Sequence, residues 1–199
     1  MKRLCLLLLP LLALMVCATA RAEERHADHE ALRNILKTGT QALNSGKLDA
    51  MAPLLHSQFT IITVDNQKFS SLETFKAYWD GLFQGEHRLL DKLEAAPVAD
   101  ELTQFLSEDV GLVHGVSNDV YTFRDGSVRT MPTRWTAVVA REGGSWKLVK
   151  LHFSVNLLDN PMLTATKEYA LRGVLAVGVV LLLLGAILGY WLGRRRSRV

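Results

Sequence analysis

The chain reads as an α+β domain followed by a single membrane-spanning helix. Three observations carry this reading. Helical periodicity recurs in three segments between Ala27 and Phe83, around one short strand, long alternating stretches run from Arg88 to Leu157, and no charge interrupts Gly173 to Gly193. Helices first and an antiparallel meander afterwards define the α+β class. An uncharged stretch of 21 residues spans about 31 Å as a helix, which matches a hydrocarbon core of about 30 Å.

The elements follow in order. Residues 1–22 read as a secretory signal peptide: Lys2 and Arg3, an apolar run from Leu4 to Cys17, and small residues at Ala18, Ala20 and Ala22 for cleavage. An uncleaved N-terminal anchor and a lipidated Cys17 stand as alternatives; Val16 before the cysteine argues against the second. Ala27–Leu43 carries Leu32, Ile35, Leu36, Gly39 and Leu43 at helical spacing, and Asn44-Ser45-Gly46 stops it. Leu48–Leu55 is a short second helix, and Phe59–Val64 a strand ended by Asp65-Asn66. Ser70 and Glu73 form a capping box for a third helix with Leu72, Phe75, Trp79, Leu82 and Phe83 on its apolar stripe. Strands are predicted over Arg88–Ala96, Glu101–Ser107, Val110–Phe123, Val128–Arg141 and Ser145–Leu157. Asp125-Gly126 and Gly143-Gly144 turn the chain between the last three. Residues 159–169 are expected as a linker, 170–193 as the transmembrane helix and 194–199 as a basic cytoplasmic tail.

Charge supports this arrangement. The whole chain carries a formal +3, but residues 23–166 hold 14 Lys+Arg against 19 Asp+Glu, a net of −5. The domain itself is acidic, which disfavours nucleic-acid binding. Arg194, Arg195, Arg196 and Arg198 follow the apolar stretch, against the single Arg172 before it. The positive-inside rule then places the C-terminus in the cytoplasm. The expectation is a single-pass type I protein of a bacterial inner membrane with its domain, residues 23–158, in the periplasm. Both cysteines, Cys5 and Cys17, lie in the signal segment, so the mature domain has no disulfide and no thiol chemistry.

Two segments carry a family resemblance. Ala42–Ile62, ALNSGKLDAMAPLLHSQFTII, resembles the helix–turn–helix–strand opening of nuclear transport factor 2-like domains. Thr133–Ser154, TRWTAVVAREGGSWKLVKLHFS, resembles their closing hairpin. The likeness is to the SnoaL-like and ketosteroid-isomerase-like branch and covers about residues 27–158. It implies a cone-shaped curved antiparallel sheet packed on three N-terminal helices, with an apolar pocket and dimerisation through the sheet. It implies no single activity, because the superfamily holds isomerases, dehydratases, cyclases and binding modules.

An enzyme of this fold needs an acid or base in the pocket. His152 matches the family's histidine in the W-x-x-x-x-x-H-x-S ending, and His114 alternates with Leu112 and Val116, which suggests a partly buried imidazole. Trp79, Tyr121 and Arg134 complete the candidate ligand-binding set with these two histidines. Alternation places His152 on the face opposite Val149, Leu151, Phe153 and Val155, unless a bulge changes parity. His26, His29, His56 and His87 sit at a frayed start or at element ends and read as solvated. Asp65, Asp80, Asp109 and Asp119 are read as turn or end residues, and a carboxylate set mid-strand among apolar neighbours is not found. No metal site and no cofactor is expected. Gly185, Gly189 and Gly193 form a small-xxx-small ridge that suits helix–helix packing.

Three readings stand at this point. The first is a membrane-tethered domain that binds a small apolar or acidic ligand, or an envelope protein partner, without turnover. The second is an isomerase, dehydratase or cyclase that uses His114 or His152. The third is a purely structural dimerisation module.

Overall fold

The computed structural model describes residues 25–196. The expected signal peptide and the end of the arginine tail, residues 197–199, lie outside the described residues. The chain divides into two compact units, one ending at Val155 and one starting at Asn156.

In the first unit, residues 25–45 form helix α1. Its stripe of Leu32, Ile35, Leu36 and Leu43 packs on the core. The short second helix expected there is a 3-10 helix, Leu48–Leu54, with Pro53 inside it; this tighter helix is common as a short connector. Strands β1 (Leu55–Ile62) and β2 (Lys68–Phe69) precede helix α2 (Leu72–Phe83). The cap of α2 is Ser71, not Ser70: its side chain accepts from the Thr74 N–H at 3.2 Å. Then come β3 (Leu90–Glu94), β4 (Pro97–Ala99), β5 (Gln104–Phe105), β6 (Val110–Phe123), β7 (Val128–Glu142) and β8 (Ser145–Val155). The expected strand over Glu101–Ser107 shrinks to two residues; the rest of that segment bends.

The eight strands make one curled half-barrel sheet in the order β2-β1-β8-β7-β6-β3, with β4 and β5 also paired to β6. All pairs are antiparallel except β1 with β8. Its inner face carries the core, which joins Phe59 and Ile61 of β1, Phe75 and Trp79 of α2, Trp135, Ala137 and Val139 of β7, and Trp146 and Leu148 of β8.

Two irregularities decide which side chains point inward. Between Val138 and Val139 the β7–β8 register shifts: Val139 pairs with Leu148 and Val138 with Lys150, leaving Val149 as an extra residue. This bulge turns the strand over. Trp146 and Leu148 face inward before it, Leu151 and Phe153 after it. In β6 the inner face reads Gly111, Val113, Gly115, Ser117, Asp119 and Tyr121. The glycines are required there. A Cβ on Gly115 would stand 2.1 Å from the Val98 carbonyl oxygen and 2.6 Å from the Trp135 ring. The indole lies in the space thus left and donates to the Val116 carbonyl at 3.0 Å.

The second unit is the helix α3 (Pro161–Arg196), 36 residues long. It starts earlier than the uncharged stretch alone predicts, so residues 161–169, expected as linker, are helical. Asn160 caps it, accepting from the Leu163 N–H at 2.9 Å, and Pro161 occupies the first turn, where its missing N–H is no loss. The helix is long and apolar enough to cross a membrane.

Candidate functional site

The curled sheet and α1 line a partly open cavity of about 460 Å³, within the size range of small-molecule sites. Its walls are almost wholly apolar. Leu32, Ile35 and Leu36 of α1 face Val113, Ala137 and Leu151 of the sheet, and Trp135, Leu148 and Phe153 also contribute. Few polar side chains reach it: His29, Arg33 and Thr40 from α1, with Glu101 and Thr103 from the bent segment before β5. The helical stripe and the inner strand parity, which make the core, therefore also make the cavity lining.

Where α1 begins, a buried ion pair ties the helix to the sheet. Asp28 is 5% exposed. Its Oδ1 accepts from the Trp146 indole N–H at 2.8 Å and from the Arg141 guanidinium, and its Oδ2 accepts from Arg25 at 3.3 Å. The Arg25 guanidinium stacks 4.2 Å from the Phe105 ring centroid, and the His29 ring sits 5.0 Å from the same ring. His29 is thus not the solvated residue expected of a frayed start. Burial, and then the nearby Arg33, lower its pKa, so at neutral pH it presents a neutral imidazole to the cavity.

A second, smaller cavity of about 110 Å³ lies between α2 and the sheet. Leu43, Pro97 and Phe153 line both cavities. Trp79 forms part of its wall, with its ring stacked 4.7 Å from Phe83. Asp119 and Tyr121 of β6 and Tyr78 of α2 enter it too. Asp119 is 5% exposed and stands inside β6, not at an element end as the sequence suggested. Its Oδ1 accepts from the Ser117 hydroxyl and from the Ala96 N–H, the latter at 3.1 Å. Burial raises its pKa above the ordinary 3.8, and the two hydrogen bonds only oppose this. Tyr78 donates to Asp65 at 3.1 Å. Burial first, and then the charge on Asp65, push its phenol up to about 12. Tyr121 is raised further by burial, with Asp119, Tyr78 and Asp65 adding to the effect.

Among the described residues, Asp119 Oδ2 and the Tyr121 hydroxyl have no hydrogen-bond partner. No side-chain polar atom there is both fully buried and unpartnered. Neither atom is therefore sealed from solvent, and both residues line the small cavity. A desolvated carboxyl beside a neutral phenol is an arrangement able to accept, donate or hold a proton.

Asp119 yields a stability prediction. Its folded pKa lies above the unfolded one, so the folded state binds the proton more tightly. Stability is then full at pH below the unfolded value and falls as pH rises through the folded one. Asp119→Asn should raise the melting temperature at pH 7, and the gain should vanish near pH 3. A thermal melt series that shows the variant less stable at pH 7 would contradict this.

The sequence-derived candidates separate between the two faces. Trp79 and Tyr121 meet at the small cavity. His114, Arg134 and His152 do not; all three stand on the outer face of the sheet. His114 pairs across to Thr136 and is half exposed, with Nε2 3.8 Å from Asp100 Oδ2 and 3.7 Å from Glu101 Oε1. Arg134 forms an ion pair with the same Asp100. His152 lies opposite Thr136 on the other side and is exposed. The apolar alternation around His114 belongs to the outer face, because glycines occupy the inner one. No group of metal-ligating side chains occurs among the described residues.

Comparison with known proteins now defines the class. The family model of the SnoaL-like domain matches residues 32–157, and the chain belongs to that family. A search of curated proteins finds no sequence match. Solved structures share the fold at low identity. A conserved protein from Planctomyces limnophilus has a TM-score of 0.56 at 20% identity, covering 66% of this chain and 98% of its own. A putative scytalone dehydratase from Novosphingobium aromaticivorans gives 0.59 at 12%, covering 68% and 89%. A hexachlorocyclohexane dehydrochlorinase from Novosphingobium barchaimii gives 0.57 at 14%, covering 68% and 90%. At these identities the likeness is one of fold.

Proposed function

We propose that this SnoaL-like domain is held at a membrane by α3 and binds a small apolar molecule in its large cavity. The observation that carries the reading is the cavity itself. A pre-formed space of about 460 Å³ with apolar walls and few polar groups is the usual form of a small-molecule site. A purely structural module would fill that space with its own side chains. The charge bias and the apolar run around α3 support a single-pass protein with the domain in a bacterial periplasm. The half-buried outer face of β6 and the glycine ridge of α3 support a homodimer. Binding without turnover suits a sensing or accessory role at the envelope. The test is the mass of the full-length chain as it leaves the membrane: a retained small molecule supports the reading, and a bare chain speaks against it.

Asp119 favours a second reading, an isomerase, dehydratase or cyclase. The acid–base role considered for His114 or His152 would then fall to Asp119, with Tyr121 as hydrogen-bond donor. The relatives named as dehydratase and dehydrochlorinase share the fold on which such chemistry is built. On this reading, any activity of the wild-type chain is lost in Asp119→Asn and kept in His114→Ala and His152→Ala.

A further inference from the structure

We propose that the opening of the large cavity binds the carboxylate end of an otherwise apolar molecule, a monocarboxylate, through Arg33 and His29 of α1. The proposal rests on the reading that the large cavity takes an apolar ligand, and it adds the charge which that ligand carries.

Exposure locates the opening. The cavity wall is made of buried and half-buried residues except at Arg33, Glu101 and Leu102, which line it and are exposed. The cavity therefore opens between residues 29–33 of α1 and the bent segment before β5. The end of a bound molecule that meets water lies there.

Two donors stand at that opening. His29 and Arg33 are one helical turn apart on the same face of α1, a spacing that sets their Cβ atoms about 5–6 Å apart. The ion-pair partner of Arg33 is Glu30, and both side chains are more than half exposed, at 54% and 56%. An exposed pair of this kind contributes little and exchanges readily for another anion. The His29 ring touches Phe105 and, among the described residues, has no hydrogen-bond partner. Its neutral form keeps one N–H to donate.

The local field selects the sign of the ligand. Burial first, and then Arg33, keep charge off the His29 ring; Asp28 opposes them, while Arg25 and His26 act with Arg33. Positive neighbours thus outnumber the negative one, and an anion is the charge they favour. Asp28 is already held by Arg25, Arg141 and Trp146. Glu101 is the carboxylate of the lining, but its Oε1 lies 3.7 Å from His114 Nε2, on the outer side of the sheet. A carboxylate suits the two donors: one face of it takes the guanidinium fork, and the imidazole N–H goes to an oxygen. One guanidinium and one neutral donor match a single negative charge, so a monoanion fits better than a dianion. A ligand cation is repelled by Arg33 and Arg25.

The experiment compares 2-naphthoate with 2-acetylnaphthalene, in which a methyl group replaces one carboxylate oxygen and the charge is lost. Full-length protein in phosphatidylcholine nanodiscs is titrated with each at neutral pH, and empty nanodiscs are subtracted. The expected result is a preference of about tenfold or more for 2-naphthoate. Arg33→Gln should remove most of that preference. His29→Phe, which keeps a ring against Phe105, should lower it in part. Equal binding of both probes overturns the carboxylate site and leaves the apolar cavity standing. A preference unchanged in either variant overturns the pair of donors. A preference that survives Ala137→Trp places the anion outside the cavity and also overturns the proposal. Binding of neither probe overturns the cavity reading and the carboxylate site together. Circular dichroism confirms that each variant is folded, and Arg33→Gln, at an exposed position, decides the matter where His29→Phe fails to fold.

Discussion

Asp28→Ala destabilises the domain by about 3–5 kcal/mol, the range for removing one partner of a buried ion pair. The carboxylate is nearly inaccessible, and three donors converge on it from Arg25, Arg141 and Trp146. Both arginine side chains stay about a quarter exposed, at 28% and 27%. Water can therefore recover part of their charge, which places the loss toward the lower end of the range. The Trp146 indole cannot be rescued so easily, because it is buried in the core. The melting temperature should drop by roughly 10–20 °C for a domain of this size. Asp28→Asn keeps an acceptor for the indole and should lose less. Equal losses in the two variants would mean that the hydrogen bond to Trp146 is not what the site protects.

Ala137→Trp abolishes occupancy of the large cavity. Ala137 lies on the inner face of β7, 5% exposed, and its side chain borders the open space. An indole there is aimed at the cavity that Ala137 borders. Affinity for any molecule held in the cavity should fall by about 100-fold, equivalent to about 2.7 kcal/mol. Stability should stay level or rise, since filling a cavity commonly adds about 0.5–2 kcal/mol. Loss of binding with stability retained separates a ligand site from a packing defect. A variant that unfolds would instead show that the wall cannot accept the ring, and Val113→Phe on the adjacent strand then repeats the test.

Much of this architecture was legible from the residue pattern. The last three strands appear where alternation and the Asp125-Gly126 and Gly143-Gly144 turns place them, since long strands with two-residue turns leave little else to decide. Gly126, Gly143 and Gly144 all take positive φ. The α1 and α2 stripes were readable for the same reason. The facing of individual side chains was not. In β6 Leu112, Val116 and Val120 lie outward with His114, while Gly111, Val113, Gly115, Ser117, Asp119 and Tyr121 face inward, where the Trp135 ring occupies the room that Gly115 leaves. Alternation alone cannot show which face a tryptophan on the next strand will cover. That inversion put His114 in the pocket on paper and hid Asp119 from it. The signal for Asp119 was present: it shares parity with Ser117 and Tyr121 inside a long strand. In β8 the bulge at Val149 is what lets Trp146 and Leu148 face inward together with Leu151 and Phe153, while His152 stays on the outer face where alternation with Leu151 and Phe153 places it. Long-range partners such as Asp28 with Arg141 and Trp146 carry no local signature at all.

The central claim is that the large cavity holds a small molecule in the membrane-tethered protein. Native mass spectrometry of the full-length chain, purified from its membrane beside Ala137→Trp in the same detergent, tests it most directly. The account predicts a discrete added mass, beyond bound detergent, on the wild type and none on the variant. Identical spectra for the two chains, with no added mass on either, would contradict it.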